Sequence, residues 1–374
     1  MPDIPWVIED QTRIKLALLK SYISPWMNIL YQQQEKIRSQ ETLLYLDGFS
    51  GPGVYFTDES KIEQCDGSPV IVAKVANEYL SQKPSRKFHL YALDKEQQCV
   101  DILGPKLSAL NSHSQNWKSI KADFESAIHT ILDEIESKGL HHQPMFFFID
   151  PFGYKGFTMD LMKRVLSYKM SEVFVNFMIW DIVRFFEADH AQDIMKALYG
   201  SDIYHEASKG RTPQERYSFL LNKYCEQLKA VGGTEFVLPF KVYSSHTPGR
   251  VRFYLIHASK NYKALQIMKD RMAKVEQDHF QFRGVGHVDP SQLSLFEDPE
   301  IIELKNALKS FCAQKSSGRT YDDIERWAYI YTKAISKEIK EALVEMEKAS
   351  QLVISRQPRA KTNTVTSGAF IKVP

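Results

Sequence analysis

Four short, almost entirely apolar runs divide the first 180 residues of the chain, with helix-length stretches between them. Such runs are typical of central strands in a parallel sheet that helices cover on both faces. The alternation predicts a doubly wound α/β fold, in which ligands bind at the carboxyl ends of the strands. The predicted strands lie at 43–46, 88–93, 145–149 and 173–178, and the predicted helices at roughly 68–81, 95–110, 124–138 and 158–168.

Further segments complete this first domain. Apolar residues recur every four positions over 10–38, which predicts an N-terminal helix that Pro25 kinks or splits. Segments 236–243 and 250–257 predict a closing antiparallel pair around a turn at 247–249. The first domain is therefore expected to span residues 1–290.

Glycine and proline cluster near 286–300, which predicts a domain boundary there. The remainder, 300–374, is predicted to contain three helices followed by a hairpin, which is the layout of a winged helix-turn-helix domain. Its predicted helices are 300–312, 321–331 and 332–348, and its predicted strands lie at 352–354 and 370–373.

Charge and cysteine content exclude some classes of protein. The net charge is +2, but residues 300–374 carry 13 Lys and Arg against 9 Asp and Glu, a mildly basic balance compatible with nucleic-acid binding. The four cysteines are widely separated and the histidines show no metal spacing, so neither a metal site nor a disulfide framework is predicted. No apolar run is long enough to span a membrane, and a cytoplasmic protein is expected.

Acidic residues follow the predicted strands at the edge where a ligand is expected. The first strand ends in a glycine-rich turn at 47–53, where missing Cβ atoms let the backbone approach a ligand. Asp94 closes the second strand, where a carboxylate can accept both hydroxyls of a ribose. Asp123 and Phe124 follow a third strand-like segment. Taken singly, Asp94 and Asp123 are equally well explained as helix N-caps.

These motifs together resemble the bacterial three-Cys-motif partner proteins. The resemblance rests on the stretch 45–53, on the triplet 67–69 and on 148–153, and it covers essentially the whole chain. It implies a Rossmann-like class I methyltransferase domain that binds S-adenosyl-L-methionine, followed by a winged helix. It also implies a separate partner protein that carries the three cysteines.

The order of the same motifs is similar, more remotely, to a bacterial ribosomal-RNA adenine-N6 methyltransferase. This likeness implies that the glycine turn borders the methionine part of the cofactor and that Ser68 reaches its carboxylate or amino group. It implies that Asp94 binds the ribose, that Asp123 and Phe124 border the adenine, and that Lys15 approaches the pocket. The cofactor-binding residues implied are Asp47, Gly48, Phe49, Gly51, Gly53, Ser68, Asp94, Asp123, Phe124 and Lys15.

Asp150, Pro151 and Phe152 are the predicted catalytic residues. Amino-directed methyltransferases use Asp-Pro-Pro-aromatic at this strand end, where the acid accepts hydrogen bonds from an exocyclic amine and the aromatic ring stacks on the base. Here Phe152 replaces the second proline and Gly153 replaces the aromatic residue. Base stacking then requires the ring of Phe152 or Tyr154. The alternative is an Asp-Pro turn that serves structure only.

The C-terminal domain carries a basic pattern that predicts contact with DNA or RNA. Its third helix presents lysines at i, i+4 and i+7, which suits a phosphate backbone. The alternative is a solvated face balanced by glutamates, because winged helices also dock proteins. The predicted nucleic-acid-binding residues are Lys333, Lys337, Lys340, Arg356, Arg359 and Lys361.

The sequence therefore predicts an S-adenosylmethionine-dependent methyltransferase acting on an exocyclic amine of a nucleic-acid base. Two alternatives stay open. One is a methyltransferase-like module that binds cofactor or partner without turnover, and the other is methylation of a protein.

Overall fold

The computed structural model describes residues 4–113, 115–243, 251–275, 280–281, 299–358, 361 and 363–374. The chain divides into two compact units, Met1–Gln281 and Phe282–Pro374. The turn predicted at 247–249 lies outside the described residues, as do positions 286–298 of the boundary predicted at 286–300.

The first unit alternates strands and helices along most of its length. Its helices are α1 (Asp10–Lys36), α2 (Ser68–Gln82), α3 (Gln97–Leu110), α4 (Phe124–Ser137), α5 (Met159–Leu166), α6 (Ile179–Phe185), α7 (Gln192–Tyr199), α8 (Pro213–Gly232) and α9 (Tyr262–Val275). Its strands are β1 (Thr42–Asp47), β2 (Val54–Phe56), β3 (Gln64–Asp66), β4 (Lys87–Asp94), β5 (Trp117–Lys121), β6 (Met145–Ile149), β7 (Ser171–Phe177), β8 (Phe236–Tyr243), β9 (Val251–Ser259) and β10 (Phe280–Gln281).

The main sheet has the strand order β10-β8-β9-β7-β6-β1-β4-β5, and its members from β7 to β5 are parallel. Strand β9 is antiparallel to both of its neighbours, β7 and β8. This is the doubly wound, Rossmann-like methyltransferase fold that the sequence predicts. The chain moves outward from β1 to β5 and then returns to β6, so the strand order reverses between β1 and β6. Ligands bind at such a reversal, outside the carboxyl ends of the strands.

The central strands are apolar because both of their faces are covered. Every residue of β1, β6 and β7 is buried. Helix α1 covers one face, where the ring of Trp26 meets that of Phe146 edge-on at 5.8 Å, and Phe146 stacks on Tyr45 at 6.1 Å. Burial of such strands and rings supplies the main driving force for this fold.

Several elements differ from the sequence-based expectation. Helix α1 runs through Pro25 without interruption and ends at Lys36. The pairing of β2 with β3 and the helices α6, α7 and α8 were not predicted. Strands β2 and β3 and helices α6 and α7 are short segments without a clear period. Helix α8 has 20 residues with buried apolar positions at helical spacing, such as Leu220, Leu221, Tyr224 and Leu228, and it was missed together with α9.

The described residues of the second unit, from 299 onward, form three helices and a small antiparallel sheet of order β11-β13-β12. Its elements are α10 (Pro299–Ala313), β11 (Arg319–Thr320), α11 (Tyr321–Tyr331), α12 (Ser336–Lys348), β12 (Val353–Ser355) and β13 (Phe370–Lys372). Helix α12 begins four residues later than predicted, after the N-cap Ile335. The core of the second unit includes Leu308, Ile324, Leu343 and Ile371, all fully buried.

Candidate functional site

The glycines of the turn after β1 allow side chains of the protein to pack closely against its backbone. Gly51 and Gly53 have φ of 56° and 70°, in the left-handed region that favours glycine. A Cβ on Gly48 would lie 2.8 Å from the ring of Phe124, and one on Gly53 would lie 2.5 Å from Leu103. The turn is therefore restricted to glycine at these positions by packing beneath it as well as by φ.

Asp94 ties this turn to the end of β4. Its Oδ2 accepts a hydrogen bond from the backbone N–H of Gly51 at 2.9 Å, and its Oδ1 accepts from Glu96 N at 2.8 Å. A carboxylate offers about four acceptor positions, so roughly two remain for a ligand. Asp94 is half-buried, which leaves its carboxylate accessible at the edge of the sheet.

Asp47 is a fully buried carboxyl at the strand reversal. Its side chain accepts hydrogen bonds from Tyr45 Oη at 3.0 Å, from Phe49 N at 3.3 Å and from the hydroxyl of Ser68, the first residue of α2. Burial raises the pKa of Asp47 to about 7, with a smaller contribution from the neighbouring carboxylate of Asp150. The three hydrogen-bond donors act in the opposite direction and lower this pKa. The site therefore contains an acid that titrates near neutral pH.

Replacing Asp47 with Asn should flatten the pH dependence of stability. Because the folded-state pKa is raised to about 7 from 3.8, the free energy of unfolding falls as pH rises from about 4 to about 7. An Asn removes this loss, so the difference between pH 5 and pH 8 should shrink by roughly 1–3 kcal/mol. Urea unfolding at the two pH values measures it, with exposed Asp101→Asn as the control. An unchanged difference in Asp47→Asn would show that Asp47 stays ionised throughout.

The segment after β5 places Asp123 and Phe124 beside the glycine turn in structural roles. Asp123 is exposed and caps α4, where its side chain accepts from Ser126 N at 3.2 Å. Phe124 is buried and packs against Phe49 with the ring centroids 5.6 Å apart. Their predicted contacts with an adenine remain predictions.

Asp150 lies directly after β6 and is held by two donors. Lys15 Nζ lies 2.8 Å from its Oδ1 and 2.7 Å from its Oδ2, and Asn176 Nδ2 donates to Oδ1 at 2.7 Å. The side chains of Lys15 and Asp150 are only 11% and 16% exposed. The pair is thus largely shielded from water, where an ion pair fixes its carboxylate more strongly than on the surface.

Asn176 on β7 is a site residue that sequence reasoning did not single out. It is buried, and its Oδ1 has no hydrogen-bond partner within the described part of the chain. Unsatisfied buried acceptors are uncommon and call for an explanation such as a bound ligand. The signal was a single polar residue inside the apolar run 173–178.

The two rings proposed for base stacking occupy opposite environments. Phe152 is 86% exposed, whereas Tyr154 is buried and packs against Phe185. The ring of Trp6 meets Phe152 edge-on at 5.6 Å and lies 3.2 Å from where a Cβ of Gly51 would stand. Trp6 therefore spans from the glycine turn to Phe152, and no periodic pattern in the sequence indicates this contact.

A cleft of about 290 Å³ lies next to this edge of the sheet. The loop 154–158, the start of α4 and helix α7 line it, with Glu125, Lys155 and Asp193 among its polar side chains. Its lining does not include the glycine turn. The cleft adds space beside the loop that follows β6.

The basic residues predicted in the second unit have different surroundings. Lys333, Lys337 and Lys361 are exposed, whereas Lys340 is half-buried with its Nζ 5.6 Å from the centre of the Tyr321 ring. Arg356 forms a two-pronged ion pair with Glu347. Arg359 lies outside the described residues.

The described residues contain neither a candidate metal cluster nor a candidate membrane-spanning helix. No group of three or more His, Cys, Asp or Glu residues in the ranges given above is arranged to hold a metal ion. Within the same ranges, no helix combines the length and apolar character that a membrane span requires.

No family model matches the sequence, and no curated protein matches it. Among solved structures, a Legionella pneumophila protein of the family-model DUF519 is 10% identical, with a TM-score of 0.36 over 66% of this chain and 85% of that chain. The plantazolicin methyltransferase BpumL, solved with a desmethyl-plantazolicin analogue and SAH, is 10% identical, with a TM-score of 0.25 over 66% of this chain and 86% of that chain. Likenesses of this size do not extend to function.

Proposed function

We propose that this protein is an S-adenosylmethionine-dependent methyltransferase that acts on an exocyclic amine of a nucleic-acid base. The observation that carries the proposal is the group formed by Asp150, Asn176 and Lys15 at the strand reversal. It combines a fixed carboxylate with a buried amide oxygen that lacks a partner. These are acceptors for the N–H groups of an amine.

The residues around the glycine turn fit the cofactor. The turn is a tight glycine loop at the carboxyl end of β1, Asp94 keeps acceptor capacity for ribose hydroxyls, and buried Asp47 suits a cationic amino group. When bound, S-adenosylmethionine supplies an electrophilic methyl group on its sulfonium. Gly51 and Gly53 would border its methionine part.

The chain's own groups then orient the acceptor amine. The Asp150 carboxylate and Asn176 Oδ1 accept its N–H hydrogens, which leaves the nitrogen lone pair directed away from both. Lys15 holds the carboxylate stationary by pairing with both of its oxygens. Holding the nitrogen in one orientation accelerates transfer through proximity and alignment.

Phe152 supplies the face on which the base stacks in this proposal. An exposed aromatic ring beside the reacting group is typical of enzymes that act on unpaired bases. Trp6 supports that ring edge-on, which fixes its orientation. In this proposal the ring of Phe152 stacks on the base, which is the role of the aromatic residue that Gly153 replaces.

One observation favours the module without turnover. Both oxygens of Asp150 are already bonded to Lys15, so an amine must share or displace that ammonium group. In that reading the ion pair is structural and the domain holds cofactor or partner only. Methylation of a protein is the remaining alternative.

The second unit would bring the substrate to this domain. We propose that it binds DNA or RNA as a winged helix, through exposed Lys333, Lys337 and Lys361. A separate three-Cys-motif protein is the proposed partner. Binding through lysines releases counterions, so affinity should fall as salt rises.

Tritiated S-adenosylmethionine tests the function directly. The purified protein is incubated with total cellular DNA, RNA or protein, and the label in each pool is counted. Label in a nucleic-acid pool supports the proposal, and label in the protein pool supports protein methylation. No label in any pool supports the module without turnover.

Replacing Asp94 with Ala should weaken cofactor binding by about 1.5–3 kcal/mol. Removing the carboxylate removes its hydrogen bonds to a ribose and the hydrogen bond that it accepts from Gly51 N. Both kinds of bond are charge-assisted. Calorimetry with S-adenosylmethionine measures the change, and Asp101→Ala on the exposed face of α3 is the control. Equal affinity in Asp94→Ala and the wild type would remove Asp94 from the site.

A further inference from the structure

A ladder of stacked π groups crosses the second unit from β11 to the end of α11. The guanidinium of Arg319 lies 3.8 Å from the centre of the Phe311 ring. Phe311 stacks on Trp327 at 4.3 Å with only 7° between the ring planes. Tyr331, one helical turn further along α11, lies 5.9 Å from Trp327 with its ring plane tilted by 35°. We call these four residues the π ladder.

The π ladder is closed at one end and open at the other. Arg319 also donates from Nε to the Phe311 carbonyl at 2.8 Å, which fixes the guanidinium over the ring. Phe311 and Trp327 are half-buried. Tyr331 is 71% exposed, so the stack ends in a ring that has a face in solvent.

A single exposed ring is common on protein surfaces, so the exposure of Tyr331 alone would indicate nothing. What distinguishes this ring is its place at the end of a row of aromatic contacts. The core of the unit lies elsewhere, around Leu308, Ile324 and Leu343, so Tyr331 contributes little to folding. Its ring contacts Trp327 on one side and is 71% exposed, so a further flat group could pack on the side that faces solvent. The geometry favours a planar ligand over an irregular apolar side chain.

Cationic residues flank the π ladder along the sequence. Lys333 follows Tyr331 by two residues, and Arg326 precedes Trp327 on α11; both are exposed. At the closed end Lys315 is exposed in the turn before Arg319. Aromatic rings combined with cations form the usual platform for single-stranded nucleic acid, where bases stack and phosphates meet positive charge.

We propose that the π ladder is a binding site for an unpaired nucleotide, whose base stacks on Tyr331 and whose phosphates meet Lys333 and Arg326. This site lies in the second unit and involves none of the residues assigned to methyl transfer. It shares Lys333 with the nucleic-acid contact proposed above, but its stacking ring, Tyr331, lies before α12 and is no part of that contact. Single-stranded nucleic acid is therefore the preferred ligand.

The full-length protein is titrated into fluorescein-labelled oligothymidylate, and binding is followed by anisotropy. Tyr331→Ala should raise the dissociation constant roughly tenfold, since stacking contributes about 1–3 kcal/mol per base. Tyr331→Phe keeps the ring and should bind nearly as the wild type does. Val353→Ala, an exposed apolar residue of β12 in the same unit, is the matched control and should change nothing.

Tryptophan fluorescence locates the bound base independently. Oligothymidylate should quench emission in the wild type, and Trp327→Phe should lose most of that quenching while it retains binding. Equal affinity in Tyr331→Ala and the wild type overturns the proposal, as does quenching that survives in Trp327→Phe. Tighter binding of a duplex than of the single strand also overturns it. None of these readouts requires methyl transfer, so they stand whether or not the first unit is an enzyme.

Discussion

Asp150→Asn is expected to lose methyl transfer by about 10²-fold or more while it keeps cofactor binding, as losses of substrate positioning do. The amide cannot pair with both Lys15 and an acceptor amine, because its Nδ2 donates where the carboxylate oxygen accepted. Asp150→Ala should lose more, since no acceptor remains. Transfer of tritium from S-adenosylmethionine to nucleic acid measures both variants, and calorimetry measures their cofactor binding.

Two further variants distinguish a role of Asp150 in orienting the amine from a purely structural role. Asp160→Asn, an exposed carboxyl on α5, should transfer like the wild type. Lys15→Met combined with Asp150→Asn removes the ion pair as a whole and should recover stability lost by the single Asp150 change. It should not recover transfer. Turnover at the wild-type rate in Asp150→Asn or Asp150→Ala would make Asp150 structural and end the amine mechanism.

Glu172→Ala is expected to lower the free energy of unfolding by about 3–5 kcal/mol, because it leaves a buried network without its acceptor. Glu172 on β7 accepts from Tyr22 Oη and from Trp26 Nε1 at 3.2 Å, and His257 Nε2 lies 2.9 Å from its Oε2. All four side chains are buried between α1 and the sheet. Urea denaturation at pH 7 measures the loss.

Glu226→Ala is the matched control for this variant. Glu226 pairs with Lys223 at 2.7 Å, but its side chain is 61% exposed. Exposed ion pairs contribute roughly 0–1 kcal/mol, so the change should be small. A loss in Glu172→Ala no greater than that in Glu226→Ala would mean that water reaches the network and satisfies its donors.

The central sheet could be predicted because burial on both faces requires a local sequence pattern, a short run of apolar residues in each strand. Strands covered on both faces must be apolar throughout, and β1, β6 and β7 are. Asp47 and Asp94 end β1 and β4, and Asp150 directly follows β6, so these carboxyls meet at one edge. The approach of Lys15 to that edge was expected from family resemblance, and it pairs there with Asp150.

Other parts of the site depend on contacts between distant segments. Trp6 reaches Phe152 across 146 positions of sequence, and no pattern near either residue indicates it. The lysine spacing predicts one basic face on the third helix, yet Lys333 precedes α12 and Lys340 packs on Tyr321. Whether a polar side chain faces solvent or a ring depends on tertiary packing, which periodicity alone does not specify.

The insertion of β9 between β7 and β8 has a consequence for synthesis on the ribosome. Strand β8 leaves the exit tunnel before β9, but in this sheet β8 joins β7 only through β9. Until Ser259 has emerged, the nascent chain carries β7 with an unpaired edge and β8 without a strand that links it to the sheet. Such edges readily pair with other chains. Ribosome stalling or premature termination before Val251 would therefore release fragments prone to aggregate, and these are expected substrates for chaperones.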